Sequence, residues 1–594
     1  MSDTAIEQAM TLALQHHQAG RFTEAETIYR QILDQQPDDS DALHLLGVIL
    51  HQTGREQSGL ELIQRAIAIV PSVARYHNNL GNIFREKSRF TEAFNEFRTA
   101  VKLQPDYANA YYNLGAVLQK FQQFDAAAVA YRKAAELKHD DIWAYNNLGN
   151  VYKDLGRLDE SIQTYQNALK IDPGENNIHS NIVLTLHYHP DFDVQAIFLE
   201  ERRWNKVHAE PLKKFIQPHT NDRDAERKLR IGYVSADFRQ HAVGCNLLPL
   251  LREHDRTHFE IVCYSNVVDE DLLTRQLRTY ADVWRDIVKL THQEAAQMIR
   301  DDKIDILVDL ALHTHRNRLL IFAQKPAPVQ ATFMGYPGST GMDAVDYRLT
   351  DPYLDPPGMF DTFYSEKCLR LPETFWCYDP LNNEHAISDL PAAKNGFVTF
   401  GCLNNFCKVN EGVLKLWAKV LDRVPNSRLI SMAPLGEARQ RVLKNLNNNG
   451  VDLQRVEFVE FQPRKDYFKV YHRIDVGLDT LPYNGHTTSL DSLWMGVPVI
   501  TLAGKTAVGR AGVSQLNNLH LQELAAQTPE EFVQIAVNLA GDINKMAELR
   551  KNLRQRMQQS PLMDAKRFAR NIEAAYRQMW RKWCGDAVNR IENT

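Results

Sequence analysis

The chain has 594 residues, 44% of them hydrophobic, with 69 Lys+Arg against 74 Asp+Glu and a formal net charge of −5; that length calls for two to four domains, and that balance leaves no basic excess for a nucleic-acid partner. Seven cysteines without paired spacing, Cys402 and Cys407 being the nearest neighbours, argue against a disulfide framework or a four-cysteine zinc site and for a reduced, cytoplasmic compartment. The opening MSDTAIEQAM has neither a positive start nor an apolar stretch, and nowhere do about 18 apolar residues run together, so neither a secretory signal nor a membrane span is expected.

Gly47, Gly81, Gly115 and Gly149 follow one another at intervals of 34 residues, an interval shared by Pro37, Pro71 and Pro105. That is the tetratricopeptide period. Each unit reads as helix, turn, helix: Trp143, Tyr145, Leu148 and Tyr152 begin an apolar stripe, Gly156 breaks it, and Ile162, Tyr165 and Ala168 resume it before Pro173. The spacing predicts about five repeats from near residue 5 to near 172 and a half-repeat at 175–188, stacked into a superhelix with a concave face. Small residues at Gly115 and Gly149 let paired helices approach. Asn79, Asn113, Asn147 and Asn181 also recur at 34, inside helices where Asn has poor propensity. Their amides could pair with an extended peptide backbone in the groove or bond the neighbouring helix.

A polar, helical connector (189–228) precedes an abrupt change at LRIGYVSADF, residues 229–238. Strand-like runs follow at 259–265, 304–310, 329–337 and 347–352, and a second series at 396–404, 427–434, 455–461, 475–482 and 498–504, with helical patterns between. The expected fold class is therefore an α-helical repeat superhelix followed by two nucleotide-binding-type α/β lobes, with a ligand in the cleft at strand C-terminal ends. The expected domains are 1–188, the connector, 229–385, 386–562, and a bracing helix within 563–594.

The most informative segment is LDTLPYNGHTTSLDSLWMGVPVITL, where a strand ends in a Pro/Asn/Gly turn and a helix starts at Thr487 and Thr488. Unpaired amides, two hydroxyls and the helix dipole can face a diphosphate there, and Asp491, one turn on, could accept from ribose hydroxyls. Thr487 can also be read as an ordinary N-cap; His486 beside the pair strengthens the phosphate reading. Lys408 in GCLNNFCKVN, just past the first strand of the second lobe, reads either as a solvated lysine or as the cation that meets a departing diphosphate. GYPGSTG (335–341) closes a strand with a turn that could approach a sugar, and His241 in DFRQHAVG sits just past the first strand.

Three patterns are set aside. AGKT (503–506) lacks the upstream glycine of a phosphate loop. His313 and His315, one residue apart, point to opposite faces of an extended chain and have no obvious third ligand. The acidic DED at 269–271 lies in a polar run without a clear strand before it. Metal-independent chemistry is expected.

Together the repeats with their asparagine column, RIGYVSADFRQHAVG, KPAPVQATFMGYPGSTGMDAVDYRLTD, FGCLNNFCKVN and LDTLPYNGHTTSLDSLWMGVPVITL resemble the protein O-GlcNAc transferases, including bacterial homologues, and the related SPINDLY-type protein O-fucosyltransferases. The resemblance implies an inverting GT-B enzyme without metal or cofactor, in which Lys408 stabilises the departing diphosphate and Thr487 and Thr488 bind it. It also implies His486 beside the diphosphate and sugar, Asp491 on the ribose, Pro337 on the sugar, and Asn405, Arg464 and Tyr467 on the donor. His241 matches a histidine near the acceptor that serves either as general base or in positioning. The asparagine column matches a ladder that holds acceptor peptides, and the repeats could carry a homodimer.

Departures gather at the nucleotide base: Arg464 and Tyr467 stand where animal O-GlcNAc transferases have a lysine and a histidine, and Cys407 replaces the tyrosine before the key lysine. Tyr467 can still stack on a base. The leading reading is transfer of GlcNAc from UDP-GlcNAc to protein Ser/Thr hydroxyls. GDP-fucose is the runner-up donor because scaffold segments look at least as SPINDLY-like, with YNGHTT the counterweight; UDP-glucose is a weaker third. A repeat adaptor with inactive lobes is the reading from another class.

Overall fold

The computed structural model describes residues 3–381 and 385–591; residues 382–384 of the expected inter-lobe linker and 592–594 of the expected final helix lie outside the described residues. The chain divides into two compact units, 1–152 and 153–594.

The first unit is a run of antiparallel helix pairs: Asp3–Gln18 with Phe22–Gln35, Ser40–Gln52 with Glu56–Ile69, Ala74–Glu86 with Phe90–Leu103, and Ala108–Lys120 with Phe124–Leu137. Each helix buries one stripe. Ala93 and Phe97, four apart on one face, pack with Leu80, Ile83 and Phe84 of the preceding helix. Phe97 is fully buried, so truncating it to Ala costs about 3–5 kcal/mol. At Gly115 a Cβ would lie 2.9 Å from the Tyr131 ring, and its absence is what lets that ring seat between the paired helices.

The second unit starts in the last turn of Ile142–Asp154 and continues through helices Leu158–Ile171, Asn176–Leu186 and Val194–Trp204. Its first lobe holds β1 (Leu229–Ser235), β2 (Phe259–Ser265), β3 (Val283–Asp286), β4 (Ile306–Asp309), β5 (Val329–Thr332), β6 (Tyr347–Thr350) and β7 (Lys367–Arg370) in the order β3-β2-β1-β4-β5-β6-β7. The second lobe holds β8 (Thr399–Cys402), β9 (Arg428–Met432), β10 (Val456–Val459), β11 (Val476–Leu478), β12 (Val499–Leu502) and β13 (Ala525–Ala526) in the order β10-β9-β8-β11-β12-β13. The paired strands run parallel. Both lobes thus reverse strand order beside their first strand, at β1/β4 and at β8/β11, the places where open α/β sheets take ligands.

Buried strands read as near-continuous apolar runs because helices cover both faces: all four residues of β4, β5, β8 and β12 are buried. In the first lobe Val262, Tyr264 and Leu307 pack with Ala295, Ile299 and Phe322. The final helix, Ala565–Ile591, returns to the first lobe, where the Tyr576 and Tyr233 hydroxyls lie 3.0 Å apart and Glu573 bonds His254 at 2.9 Å. Among the described residues no helix is long and apolar enough to cross a membrane, and no group of three or more His, Cys, Asp or Glu side chains could hold a metal ion. The acidic run at 269–271 follows β2 after a short loop, and its last member caps the helix Leu272–Thr279, accepting from the Thr274 amide at 2.9 Å.

Candidate functional site

The site is built on the loops that follow β8 and β11, the strands flanking the second switch point. Asp479, just past β11 and 4% exposed, organises both. It accepts from the amides of Thr480 (2.8 Å) and Gly485 (2.7 Å), the Thr501 hydroxyl (2.8 Å) and Nδ2 of Asn404 (3.2 Å). Asn404, just past β8, also donates to the Thr480 hydroxyl at 2.8 Å and accepts from the Thr488 hydroxyl. The two loops are therefore closed by a fully bonded polar network, which holds its geometry better than isolated contacts do.

On this frame the helix Thr487–Trp494 begins with His486 as its N-cap residue, and no side chain caps it. Thr487 is the first helical residue, so the reading of Thr487 as an N-cap is corrected. The first intrahelical bonds come from the Ser489 and Leu490 amides to the His486 carbonyl, and the Thr487 and Thr488 amides have no acceptor among the described residues. Two N–H groups at a helix N-terminus form a ready anion site. The Thr487 hydroxyl receives Nδ2 of Asn246 at 3.4 Å, from the first-lobe helix Ala242–Glu253.

Lys408 ends the 3₁₀ turn Phe406–Lys408 and donates Nζ to the Asn484 carbonyl at 2.7 Å. Burial pushes its ammonium down to about 8. The Tyr483 ring lies beneath it, Nζ being 4.1 Å from the ring centroid. His486 stacks on the same ring at 4.7 Å between centroids and meets Trp376 edge-on at 5.4 Å. Its Nε2 donates to the Val508 carbonyl at 3.1 Å, and burial holds the imidazole well below its usual range, hence neutral. Asn405, before the turn, is exposed and gives its carbonyl to the Lys408 amide.

Arg464 opens the helix Arg464–Val470 and binds Asp491 through two nitrogens. Asp491, expected to accept from ribose, is 2% exposed and has both oxygens engaged, one of them also by the Tyr378 hydroxyl at 2.7 Å. Tyr467 donates to the Tyr471 hydroxyl, which donates to the Thr488 carbonyl at 3.1 Å, so the helix start is tied to the helix Arg464–Val470 as well.

The first lobe contributes two loops. His241 caps the helix Ala242–Glu253, Nδ1 accepting from the Val243 amide at 3.3 Å and lying 3.6 Å from Asp237, with the side chain 41% exposed. The tight turn that brings it there depends on Gly244, whose Cβ would lie 2.2 Å from the Arg239 carbonyl. Pro337 is buried on the loop after β5 and lines a cavity of about 20 Å³ shared with His187, Glu201, Thr506 and Val508, the residue whose carbonyl holds His486. That loop is fixed by Arg348, which donates to the Gly338 carbonyl at 2.9 Å, and by Glu366, which accepts from the Ser339 hydroxyl and Thr340 amide at 2.6 and 2.7 Å. Sequence reasoning missed Asp479, Asn404, Tyr483, Arg348 and Glu366. The Asp and Asn residues closing strands 475–482 and 396–404 were the only signal for the first two.

In the repeats the asparagine amides bond along the stack. Asn79 pairs with His44 (2.9 Å), Asn113 donates to Asn78 (2.9 Å) and Asn147 to the Tyr112 hydroxyl (3.1 Å), each across a separation of 35 residues. Asn113 also accepts from Arg85 at 3.1 Å and is 7% exposed. Asn181, in the second unit, is half-buried.

With this geometry in place, comparisons with known proteins bear on the chain. The profile of glycosyl transferase family 41 matches residues 202–390 and 390–572, and tetratricopeptide-repeat profiles match within 10–175. A Petunia hybrida protein named as a probable UDP-N-acetylglucosamine–peptide N-acetylglucosaminyltransferase SPINDLY is 39% identical over 428 residues, 71% of this chain and 46% of that one. The Arabidopsis thaliana protein of the same enzyme name, designated SEC, is 33% identical over 371 residues, 60% of this chain and 38% of that one. The chain thus spans less than half the length of these relatives. A solved lysine-to-methionine mutant of the Thermobaculum terrenum O-GlcNAc transferase superposes with a TM-score of 0.80 at 37% identity, covering 86% of this chain and 98% of that one.

Proposed function

The chain belongs to glycosyl transferase family 41, and from that premise we propose that it moves N-acetylglucosamine from UDP-GlcNAc to Ser/Thr hydroxyls of proteins, with inversion at the anomeric carbon. The observation that carries the reading is that Lys408 is held on the Asn484 carbonyl, three residues before a helix start whose Thr487 and Thr488 amides are unpaired among the described residues. As the acceptor oxygen bonds to the anomeric carbon and the sugar–phosphate bond breaks, the acceptor's hydroxyl proton passes to an oxygen of the departing diphosphate, and the charge that gathers there is stabilised without reorganisation by fixed N–H dipoles and an ammonium. The positive potential comes from the chain itself, so neither a resident metal nor a cofactor enters the proposal.

His241 is assigned a positioning role. With Nδ1 accepting from the Val243 amide, the neutral ring carries its proton on Nε2, which then donates to an acceptor oxygen rather than removing its proton. Pro337, Asn405, Arg464, Tyr467 and Asp491 are assigned to the donor, Asp491 through Arg464. Protein acceptors lying along the repeats, self-association through them, and residence in the cytoplasm, supported by seven free thiols, belong to the same proposal.

The competing donor is GDP-fucose, read above from the SPINDLY-type resemblance; both relatives are named for UDP-N-acetylglucosamine, so the difference in identity between them (39% against 33%) does not separate the donors. Thermal-shift titration with UDP, UDP-GlcNAc, GDP and GDP-fucose decides, since a ligand at about 100 times its Kd adds about 2.7 kcal/mol to the folded state. Stabilisation by the uridine ligands alone is expected. Stabilisation by guanine ligands alone overturns the donor, and donor binding without transfer to any protein favours an adaptor.

A further inference from the structure

We infer that Tyr483 is a positioning residue whose ring face holds the Lys408 ammonium over the helix start and keeps it in the charged form. The inference rests on the proposed donor chemistry for its purpose but on separate geometry for its content. Lys408 sits in a half-buried position, and no carboxylate lies within ion-pair distance of Nζ among the described residues. The groups facing it are Cys407 on its own turn, Cys402 at the end of β8, Asp479 after β11, and Tyr483 and His486 before the helix. The thiols are pushed up to about 12 by burial and stay neutral, and the imidazole is neutral too. Asp479 is already engaged by four donors. What remains in direct contact with the cation is one carbonyl, that of Asn484, and one aromatic face.

An ammonium has three N–H donors. One goes to the Asn484 carbonyl and the ring faces the cation at 4.1 Å, which leaves a donor for a ligand oxygen at the Thr487 and Thr488 amides. The attraction of a cation to a ring face is greatest where both are withdrawn from water. Tyr483 is itself held: it is 6% exposed, its carbonyl accepts from the Thr480 hydroxyl at 2.8 Å, and the Tyr188 ring packs on it at 4.9 Å. The contacts of its side chain with Lys408, Tyr188 and His486 are all made by the ring, so the ring is the working part.

A ring that favours the charged lysine raises its pKa, so removing the ring moves the loss of charge to lower pH. The test pairs Tyr483→Phe, which keeps the face, with Tyr483→Leu, which removes it, and adds phenylalanines of increasing fluorination at position 483, which keep the shape while weakening the face. Reaction of Lys408 with a small anhydride, followed by mass spectrometry across pH, reads its pKa without any need for catalysis. The midpoint is expected near 8 in the parent and in Tyr483→Phe, about one pH unit lower in Tyr483→Leu, and stepwise lower along the fluorinated series. The alkaline limb of kcat/KM for sugar transfer, which reports the free enzyme, should follow the same shifts. An unchanged or raised midpoint across the fluorinated series overturns the inference, even if Tyr483→Leu fails to fold. Absence of transfer with every donor, alongside shifted midpoints, defeats the proposed function and leaves the lysine–ring relation standing.

Discussion

Arg464 grips both carboxylate oxygens of Asp491, at 2.8 and 3.2 Å, with Asp491 3% and Arg464 21% exposed at the side chain. A buried pair of this kind is expensive to break by halves, because the survivor is left charged and uncompensated. Asp491→Leu alone should cost about 3–5 kcal/mol in urea unfolding, whereas Asp491→Leu with Arg464→Met should lie well short of the sum of the single effects. Additive losses would show that the two side chains do not act as a pair.

Among the histidines of the second unit that burial keeps neutral, His187 and His313 are pushed down to about 3 and His208 to about 4. The unfolded chain protonates them near pH 6.5, so between that pH and the folded values it binds more protons than the native state. Their contribution to stability is complete above about pH 6.5 and is lost as pH falls, each steepening the decline by at most about 1.4 kcal/mol per pH unit. The melting temperature should drop from pH 7 to pH 5, and His187→Phe should flatten that drop. A profile equally steep in the variant contradicts the assignment.

Much of this fold is legible in sequence because parallel strands buried on both faces are continuous apolar runs, and each of the ten runs read from 229 onward contains a strand. The missed strands fail that rule. β3 and β7 are partly exposed sheet edges, and β13 is two residues long. Within the site, His486, Thr487 and Thr488 are legible because strand, turn and helix start lie together in one segment. Asn404 and Asp479 are not, since their bond joins residues 75 apart whose pairing exists only once β8 and β11 are neighbours. Tyr483 looked like part of a turn. Its meaning depends on Lys408 arriving from the other strand end.

The asparagine column has a structural task whether or not it also holds peptides. Asn113 is satisfied at both ends of its amide, by Asn78 and Arg85, and Asn147 donates to Tyr112. Replacing Asn113 by Ala should lower the stability of the repeats by about 1–2 kcal/mol, the cost of stranding a buried partner. If the column also meets acceptor backbone, Asn113→Ala with Asn147→Ala should slow transfer to protein acceptors while sparing donor hydrolysis at a temperature where the repeats remain folded. Equal loss of both activities would assign the column to repeat packing alone.

Lys408→Met is the most direct test of the donor chemistry, because it keeps the length and apolar stem of the side chain while removing the charge. Its carbonyl partner, Asn484, also donates Nδ2 to Thr480 at 2.8 Å and accepts from the Gly512 amide at 3.3 Å, so the loop should hold its shape without the lysine. Ground-state binding of the nucleotide sugar draws on the helix-start amides as well and should weaken only a few-fold. The departing diphosphate, by contrast, gathers charge beside the missing ammonium. Loss of one preorganised donor of this kind lowers kcat by roughly 100-fold to 1000-fold, equivalent to about 2.7–4 kcal/mol at the transition state. Transfer to peptide and hydrolysis of donor should fall together, since both release the same diphosphate. A variant that transfers sugar undiminished would remove Lys408 from the chemistry, and one that loses donor binding in proportion to rate would make it a binding residue only.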